Sequence, residues 1–554
     1  MEWLLCMVFL SWLYGKLQRH CRCNYIYKVR FMNRRSRFVE DRSAVVRIMT
    51  GLIFLSVLLC CQGLFDESQV QVVTEPSAFK AFPLPPREVL YGPYSMLTAD
   101  ETAIIAWEEK EWTGKLRHVE VPFAGFAPSA KYFYSVNGSE QYGRISTAPT
   151  DNSPFSFLVW SDSRTGTEVA TRIAAQMISL VPDASFALHA GDLVIDGDRE
   201  ESWKDEWWTP MHDLLLHCPI YPTMGNHEED SEFYYRYFSS LGGRGTNYSF
   251  DWGTAHIVVC KIDEGDSEQL EWLEEDLAGN SNAGFTVVCH HVPPFSSTTS
   301  DTGGIPYLQD AVVPLFEKYG VDLVISGDVH SYQHHIRNNI HYLISAGGGE
   351  TPYDYGLPLE GMTINLLKAY NFSRCRYENN TMYINTFNER GEAIDSFAIV
   401  PDMPPVITSK IVVKSSSSQV ARGEQCRVDF FINNVKDLDA VKLTLTYYKD
   451  KPPVIVEVID TDPLSKGVQI EQGEMGGTIQ LNEADNSSGF LEYRENNLHG
   501  LNADEIKMAS ALFQVPEEAY ITSMYLVPQV TLLDTSGAEI PHFMGGIKIT
   551  ITKE

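Results

Sequence analysis

Cysteine is scarce and badly placed for bridging. The 554 residues hold 10 cysteines, and past residue 64 only Cys218, Cys260, Cys289, Cys375 and Cys426 remain. An odd, scattered set over so long a stretch excludes a disulfide framework. Cys260 and Cys289 lie inside apolar strand patterns (HIVVCKI, TVVCHH), where cysteine serves as a small buried hydrophobe. Positive charge is short too: 43 Lys and Arg face 73 Asp and Glu, for a net charge of −30. The deficit is uneven. Residues 1–64 carry ten Lys/Arg and three Asp/Glu, a net +7 that leaves −37 to the rest. A body so acidic repels nucleic acid and anionic lipid, so no nucleic-acid partner is expected. Nor does the chain offer a generous membrane span. Its best apolar run, Thr50–Phe65, is at the short end for crossing ~30 Å of hydrocarbon.

What the basic head does contain is two apolar segments, Met1–Gly15 and Thr50–Phe65, the second behind Arg42 and Arg47 and carrying Cys60 and Cys61 near its end. Basic flank, apolar stretch and small exit form the pattern of an export signal. A tandem pair is explained most simply by a true start at Met32 or Met49. The Leu-Leu-Cys-Cys end loosely resembles a bacterial lipobox, with Cys61 or Cys60 as the acylated anchor, although Cys60 stands where Gly, Ala or Ser is usual. The alternative is an uncleaved anchor helix. Export to the cell surface, periplasm or medium is the expectation.

The length calls for three or four domains. Residues 85–149 read as short β segments (ETAIIAWEE, RHVEVPF, KYFYSVNG, GRISTAP) broken by Gly, Pro and Ser. Residues 150–400 alternate strands (Phe155–Trp160, Ser185–Ala190, Phe285–Cys289, Val321–Ser326) with helices (Thr167–Leu180, Glu201–Leu216, Ser267–Leu277). In the first helix Val169, Ile173, Met177 and Leu180 fall on one face. This rhythm predicts an α/β sandwich with functional residues where strands run into loops. A proline-marked linker over 401–409 precedes a return to β pattern to the end of the chain.

Five pieces of the middle region each follow a strand and are rich in metal-capable side chains: VWSDSRTG (Val159–Gly166), LHAGDLVIDG (Leu188–Gly197), TMGNHEE (Thr223–Glu229), VVCHHVPPFSS (Val287–Ser297) and SGDVHSYQHH (Ser326–His335). Each alone is a weak signal, since GD or GNH is more often a turn. In this order, each behind a strand, they resemble the calcineurin-like metallophosphoesterase signature. With HVPPFSS and a β region ahead, the nearest relative is the purple acid phosphatase branch. GFAPSAKYFYSVNG resembles the end of a fibronectin type III-like sandwich, and RVDFFINNVKDLDAVKLTLTYY resembles a cohesin-like module. The resemblance implies a central four-layer α/β metallophosphoesterase sandwich flanked by two all-β sandwich domains. Its divisions are a leader over 1–64, a fibronectin-like domain over 85–149, the phosphoesterase over 150–400 and a cohesin-like domain over 404–554.

The same resemblance implies two divalent metal ions, Mn, Fe or Zn, bridged by Asp192. It places Asp162 and His330 on the first ion and Asn226, His291 and Asp328 on the second, with His227 assisting the leaving oxygen. Two positions depart from the signature: Arg164 stands where it has a histidine ligand, and Asp328 stands for another histidine. Ile195 replaces the tyrosine that colours purple phosphatases, so no purple di-iron centre is expected. Three carboxylates instead of two make the ligand set −3, and the permanent charge of Arg164 restores −2. Arg164 and Asp328 are then a compensated exchange, with the guanidinium fork gripping phosphate. Alternatively Arg164 pairs with an aspartate and replaces one metal, leaving a one-metal or inactive site. His189, His290, His334, His335 and His341 are read as supporting or core residues, and Gly347–Gly349 as backbone passing close to the site.

The activity implied is hydrolysis of phosphomonoesters or phosphodiesters outside the cytoplasm by a metal-bound hydroxide at a binuclear centre. The alternatives are a surface or adhesion protein built on a degenerate phosphoesterase scaffold, and a carbohydrate-linked enzyme tethered through its cohesin-like end to a protein partner.

Overall fold

The computed structural model describes residues 70–74, 89–97, 102–110, 116–136, 141–228, 231–242, 245–298, 305–401, 403, 406–447, 456–461, 467–519 and 523–552. The chain divides into residues 1–65 and a second, compact unit, Asp66–Glu554. The export-signal and lipobox readings concern residues 1–65 and lie outside the described residues. Among the described residues no helix is long and apolar enough to cross a membrane.

The second unit opens with two three-stranded sheets. Val70–Val73, Lys131–Val136 and Gly143–Ser146 form one, and Val89–Leu97, Ala103–Lys110 and Leu116–Phe123 the other. The first of these strands lies ahead of residue 85, where the sequence pattern had suggested the module begins.

Two larger sheets follow. The first orders its strands Ala393–Ile399, Thr381–Asn388, Asn371–Glu378, β1 (Phe155–Trp160), β2 (Phe186–His189) and β3 (Ile220–Pro222). The second orders them Tyr248–Trp252, β4 (Ala255–Val259), β5 (Phe285–Cys289), β6 (Leu323–Ser326), β7 (Ile340–Ser345), then Tyr332–Arg337 and Thr363–Leu367. β1, β2 and β3 run parallel, and so do β4, β5, β6 and β7. Parallel strands covered on both faces read as unbroken apolar runs, as in FTVVC of β5, where every residue is buried. Alternate residues of one strand feed two cores. Val287 and Cys289 join Phe157, Leu188 and Phe372 between the sheets. Val288 packs outward with Leu273, Leu277 and Phe316 from the helices Ser267–Gly279 and Val313–Tyr319.

Helix α1 spans Thr167–Leu180, the range its periodicity predicts. Its buried residues are Ala170, Ile173, Ala174 and Met177, so the small alanines face the sheet and Leu180 is exposed, contrary to the expected face. The segment expected as one helix from Glu201 begins at Glu200 and runs through a π-helical stretch, Trp203–Trp208, before Thr209–His217. The wide turns accompany burial of Trp203, Trp207 and Trp208. Asp266 caps Ser267–Gly279 by accepting the N–H groups of Glu268 and Gln269.

Among the described residues the C-terminal part is all β. Two long strands, Gln425–Thr446 and Phe490–Gln514, pair antiparallel at the centre of an eight-stranded sheet. Cys426, Val428, Phe430 and Ile432 alternate into its core.

Candidate metal centre

Each of the five motifs begins within five residues of a parallel strand's C-terminal end: Asp162 after β1, Asp192 after β2, Gly225-Asn226-His227-Glu228 after β3, His291 after β5, Asp328 and His330 after β6. Parallel strands deliver their following loops to one edge, where ligands gather in open α/β sheets. The loops are stitched to one another by backbone hydrogen bonds. Asp162 N–H donates to Gly191 O at 3.1 Å, Gly327 N–H to His291 O at 2.7 Å, and Gly348 N–H to Ser161 O at 2.9 Å. The close approach expected of Gly347–Gly349 is present. A Cβ on Gly349 would lie 2.3 Å from Ser163 O.

Asp162, Asp192 and Asp328 all adopt left-handed backbone, with φ of 56°, 59° and 63°. Aspartate tolerates this region better than most residues, and such conformations concentrate at functional sites. Donor atoms of Asp162, Asp192 and His291, all buried, lie within 4.8 Å of one another. His291 Nδ1–H donates to Ala190 O at 2.8 Å, which leaves Nε2 as the nitrogen that faces the cluster. That Nε2 is 3.3 Å from Asp192 Oδ1, 3.0 Å from Asn226 Oδ1 and 3.8 Å from Asp328 Oδ1. Burial pulls the imidazole pKa down, but Asp192, Asp162 and Asp328 push it up to about 9. Burial, reinforced by Asp162 and Asp192, also lifts Asp328 above the usual carboxylate range.

Asp162 Oδ2 accepts from Ser161 Oγ–H at 2.6 Å and from Asp328 N–H at 3.1 Å. Its Oδ1 is buried with no hydrogen-bond partner. An orphaned carboxylate oxygen beside another carboxylate and an imidazole is what a divalent cation satisfies, so the residues present fit a metal ion.

His330 Nε2 is 3.3 Å from Asp162 Oδ1, and its ring stacks on Tyr353 at 4.2 Å between centroids. Arg164 does pair with an aspartate, the arrangement the sequence held as its alternative. Its Nε–H donates to Asp192 Oδ2 at 3.0 Å, one Nη to Glu350 Oε2 at 3.1 Å, and the other lies 3.1 Å from His330 Nε2. The fork expected to grip phosphate thus faces three protein groups. His227 donates from Nδ1 to Ile195 O at 2.6 Å, leaving Nε2 near the cluster, 3.8 Å from Asp192 Oδ2.

Two residues given no role from sequence support the site. Glu228 is fully buried. Its Oε2 accepts the N–H of Asp192 and of Gly225, and its Oε1 that of Val194, each at 3.0 Å. Its place in the GNHE motif was the available signal. Glu350, which anchors Arg164, had none. Of the five other histidines, His189 is wedged against Trp160 and Trp207 and meets Ser163 Oγ at 3.1 Å. His334 and His341 bond each other at 2.9 Å away from the cluster, and burial drops His290 to about 4 and His335 to about 3.

The architecture and the ligand cluster define an α/β sandwich domain with a site that fits a metal ion. Residues 129–332 match the calcineurin-like phosphoesterase family, so the chain carries a domain of that family. Within it, the chain's homologues include purple acid phosphatases. Purple acid phosphatase 21 of Arabidopsis thaliana is 26% identical over 240 residues, 40% of this chain and 53% of the relative. An uncharacterized protein of Mycobacterium tuberculosis is 28% identical over 256 residues, 37% of this chain and 48% of the relative. The chain thus spans about half the length of these curated relatives. The solved purple acid phosphatase from yellow lupin (Lupinus luteus) covers 57% of this chain and 74% of its own, with 16% identity and a TM-score of 0.47. A cohesin from Archaeoglobus fulgidus covers 26% of this chain, in the C-terminal region, and 91% of its own, with 16% identity and a TM-score of 0.20.

Proposed function

We propose that the chain is an exported, metal-dependent hydrolase of phosphomonoesters or phosphodiesters. The observation that carries this reading is the convergence of Asp162, Asp192 and His291, with the orphaned Asp162 oxygen, on one point. Asp192 is the shared carboxylate, with one oxygen toward His291 and the other toward Arg164. Asp162, Asn226, His291, Asp328 and His330 complete the set that would hold divalent cations. When bound, such cations neutralise the phosphoryl oxygens and acidify a water molecule.

The protein's own groups do the rest. His227, with Nδ1 committed to Ile195, presents Nε2 to deliver a proton or hydrogen bond to the departing oxygen. Arg164 supplies fixed positive charge that cannot be titrated away. Glu228 ties the Asp192 loop to the Asn226 loop, so the two groups hold their spacing without ligand. Export rests on the basic-flanked apolar run of the leader, and a protein partner for the 404–554 segment rests on its cohesin-like sequence run.

The test is hydrolysis of p-nitrophenyl phosphate and bis-p-nitrophenyl phosphate by the full chain with Mn²⁺, beside Asp192→Asn. Turnover by the parent and loss in the variant is the expected result. No turnover of either ester by the cation-loaded parent overturns the reading in favour of a non-catalytic scaffold.

A further inference from the structure

The cluster has two unlike halves. On the His291 side, Asp192 Oδ1, Asn226 Oδ1, Asp328 Oδ1 and the imidazole Nε2 converge, and the Asp192 oxygen receives the His227 N–H at 3.2 Å beside the imidazole at 3.3 Å. Lone pairs outnumber donors there. On the His330 side two acceptors already have a donor, while Asp162 Oδ1, 3.3 Å from His330 Nε2, is left without one. Nε and one Nη of Arg164 lie 3.0 Å from Asp192 Oδ2 and 3.1 Å from His330 Nε2. The fork bridges the two atoms that the family resemblance assigns to a cation.

We propose that Arg164 is a resident cation that holds one of the two cation positions, so that the positions fill unequally: the His291 side tightly, the His330 side only against the guanidinium. The proposal rests on reading the cluster as a metal centre.

Three observations support it. The guanidinium edge already takes up the approach to both Asp192 Oδ2 and His330 Nε2, which a cation held by these residues would need. The guanidinium cannot neutralise itself by losing a proton. Nor is it free to swing away. Glu350 holds its far nitrogen, Thr165 Oγ1 holds Glu350, and Glu350 N–H bonds Asp162 O at 2.9 Å. The backbone behind Arg164 is locked as well, because a Cβ on Gly166 would stand 1.9 Å from Gly349 O. The arginine therefore enters the cluster on a rigid arm, and displacing it means breaking its ion pair with Asp192, whose side chains are 11% and 1% exposed.

The experiment is calorimetric titration of chelator-stripped full-length protein with Mn²⁺, together with electron paramagnetic resonance of the loaded samples. The wild type is expected to bind one Mn²⁺ tightly and a second at least about tenfold more weakly, with the spectrum of an isolated ion at one equivalent. Arg164→Met, which removes the charge and adds no ligand, narrows that gap. Arg164→His, which adds a ligand, gives two tight ions and an exchange-coupled spectrum. Two equal tight events in the wild type overturn the proposal without any variant being needed. So does an unchanged gap in both folded variants. No binding by any of the three proteins overturns the metal-centre reading itself, a separate outcome.

Discussion

Glu228 Oε2 accepts the backbone N–H of Asp192 at 3.0 Å, from a carboxylate that also receives Gly225 and Val194. Three N–H donors meet one buried acceptor group, so replacing half of it with a donor is costly. Glu228→Gln leaves an amide NH₂ facing a backbone N–H. The variant should lose on the order of 1–3 kcal/mol in denaturant unfolding and bind Mn²⁺ more weakly, because the Asp192 and Asn226 loops are no longer tied.

His227 is expected to serve the leaving group rather than the cations. His227→Gln should leave metal content unchanged while turnover of an alkyl phosphate drops about 10²–10⁴-fold. The drop should be smaller for p-nitrophenyl phosphate, whose leaving oxygen needs little protonation. Equal losses on both esters would show that the side chain does something else.

Away from the centre, His256 sits between Asp251 Oδ1 at 2.8 Å and Asp276 Oδ2 at 2.9 Å. Burial lowers its pKa, but the two carboxylates outweigh it and push the group up to about 9. The folded value exceeds the unfolded ~6.5. The stabilisation is therefore complete below about pH 6.5 and is lost as pH rises toward 9. Thermal melts of His256→Gln should lack the part of the alkaline decline that the parent shows between these limits. Asp251 is largely exposed, so the effect should shrink in high salt.

Gly166→Ala places a methyl against Gly349 O, with backbone on both sides and nothing flexible to yield. Overpacking of this kind costs about 1–3 kcal/mol. It should also part the Arg164 loop from the Glu350 loop, which a lower melting temperature together with tighter binding of the second Mn²⁺ would report.

The strands and the first helix could be read because local pattern and tertiary role agree. FSFLVW is apolar except at Ser156 since both faces of β1 are covered, and α1 keeps its predicted range although Ala170 and Ala174, not Leu180, complete its buried face. The π-helical turns at Trp203–Trp208 could not be read, because they depend on where three indoles find room and not on spacing. The same division runs through the site. Asp162, Asp192, Asn226, His291 and His330 each sit just past a strand end, a position visible in the sequence. The direction of Arg164 depends on Glu350, 186 residues away, and on a glycine contact that no local motif encodes. Its charge and its pairing with an aspartate were legible; Glu350 and His330 as further partners were not.

The left-handed backbone at Asp162, Asp192 and Asp328 bears on how this centre is dissected. Alanine at any of the three would carry a conformational penalty of roughly 1–2 kcal/mol along with the missing ligand, and an assay would report the sum as if it were one loss. Asparagine tolerates the same torsion angles while giving up the negative charge. It is the replacement that isolates what each carboxylate contributes.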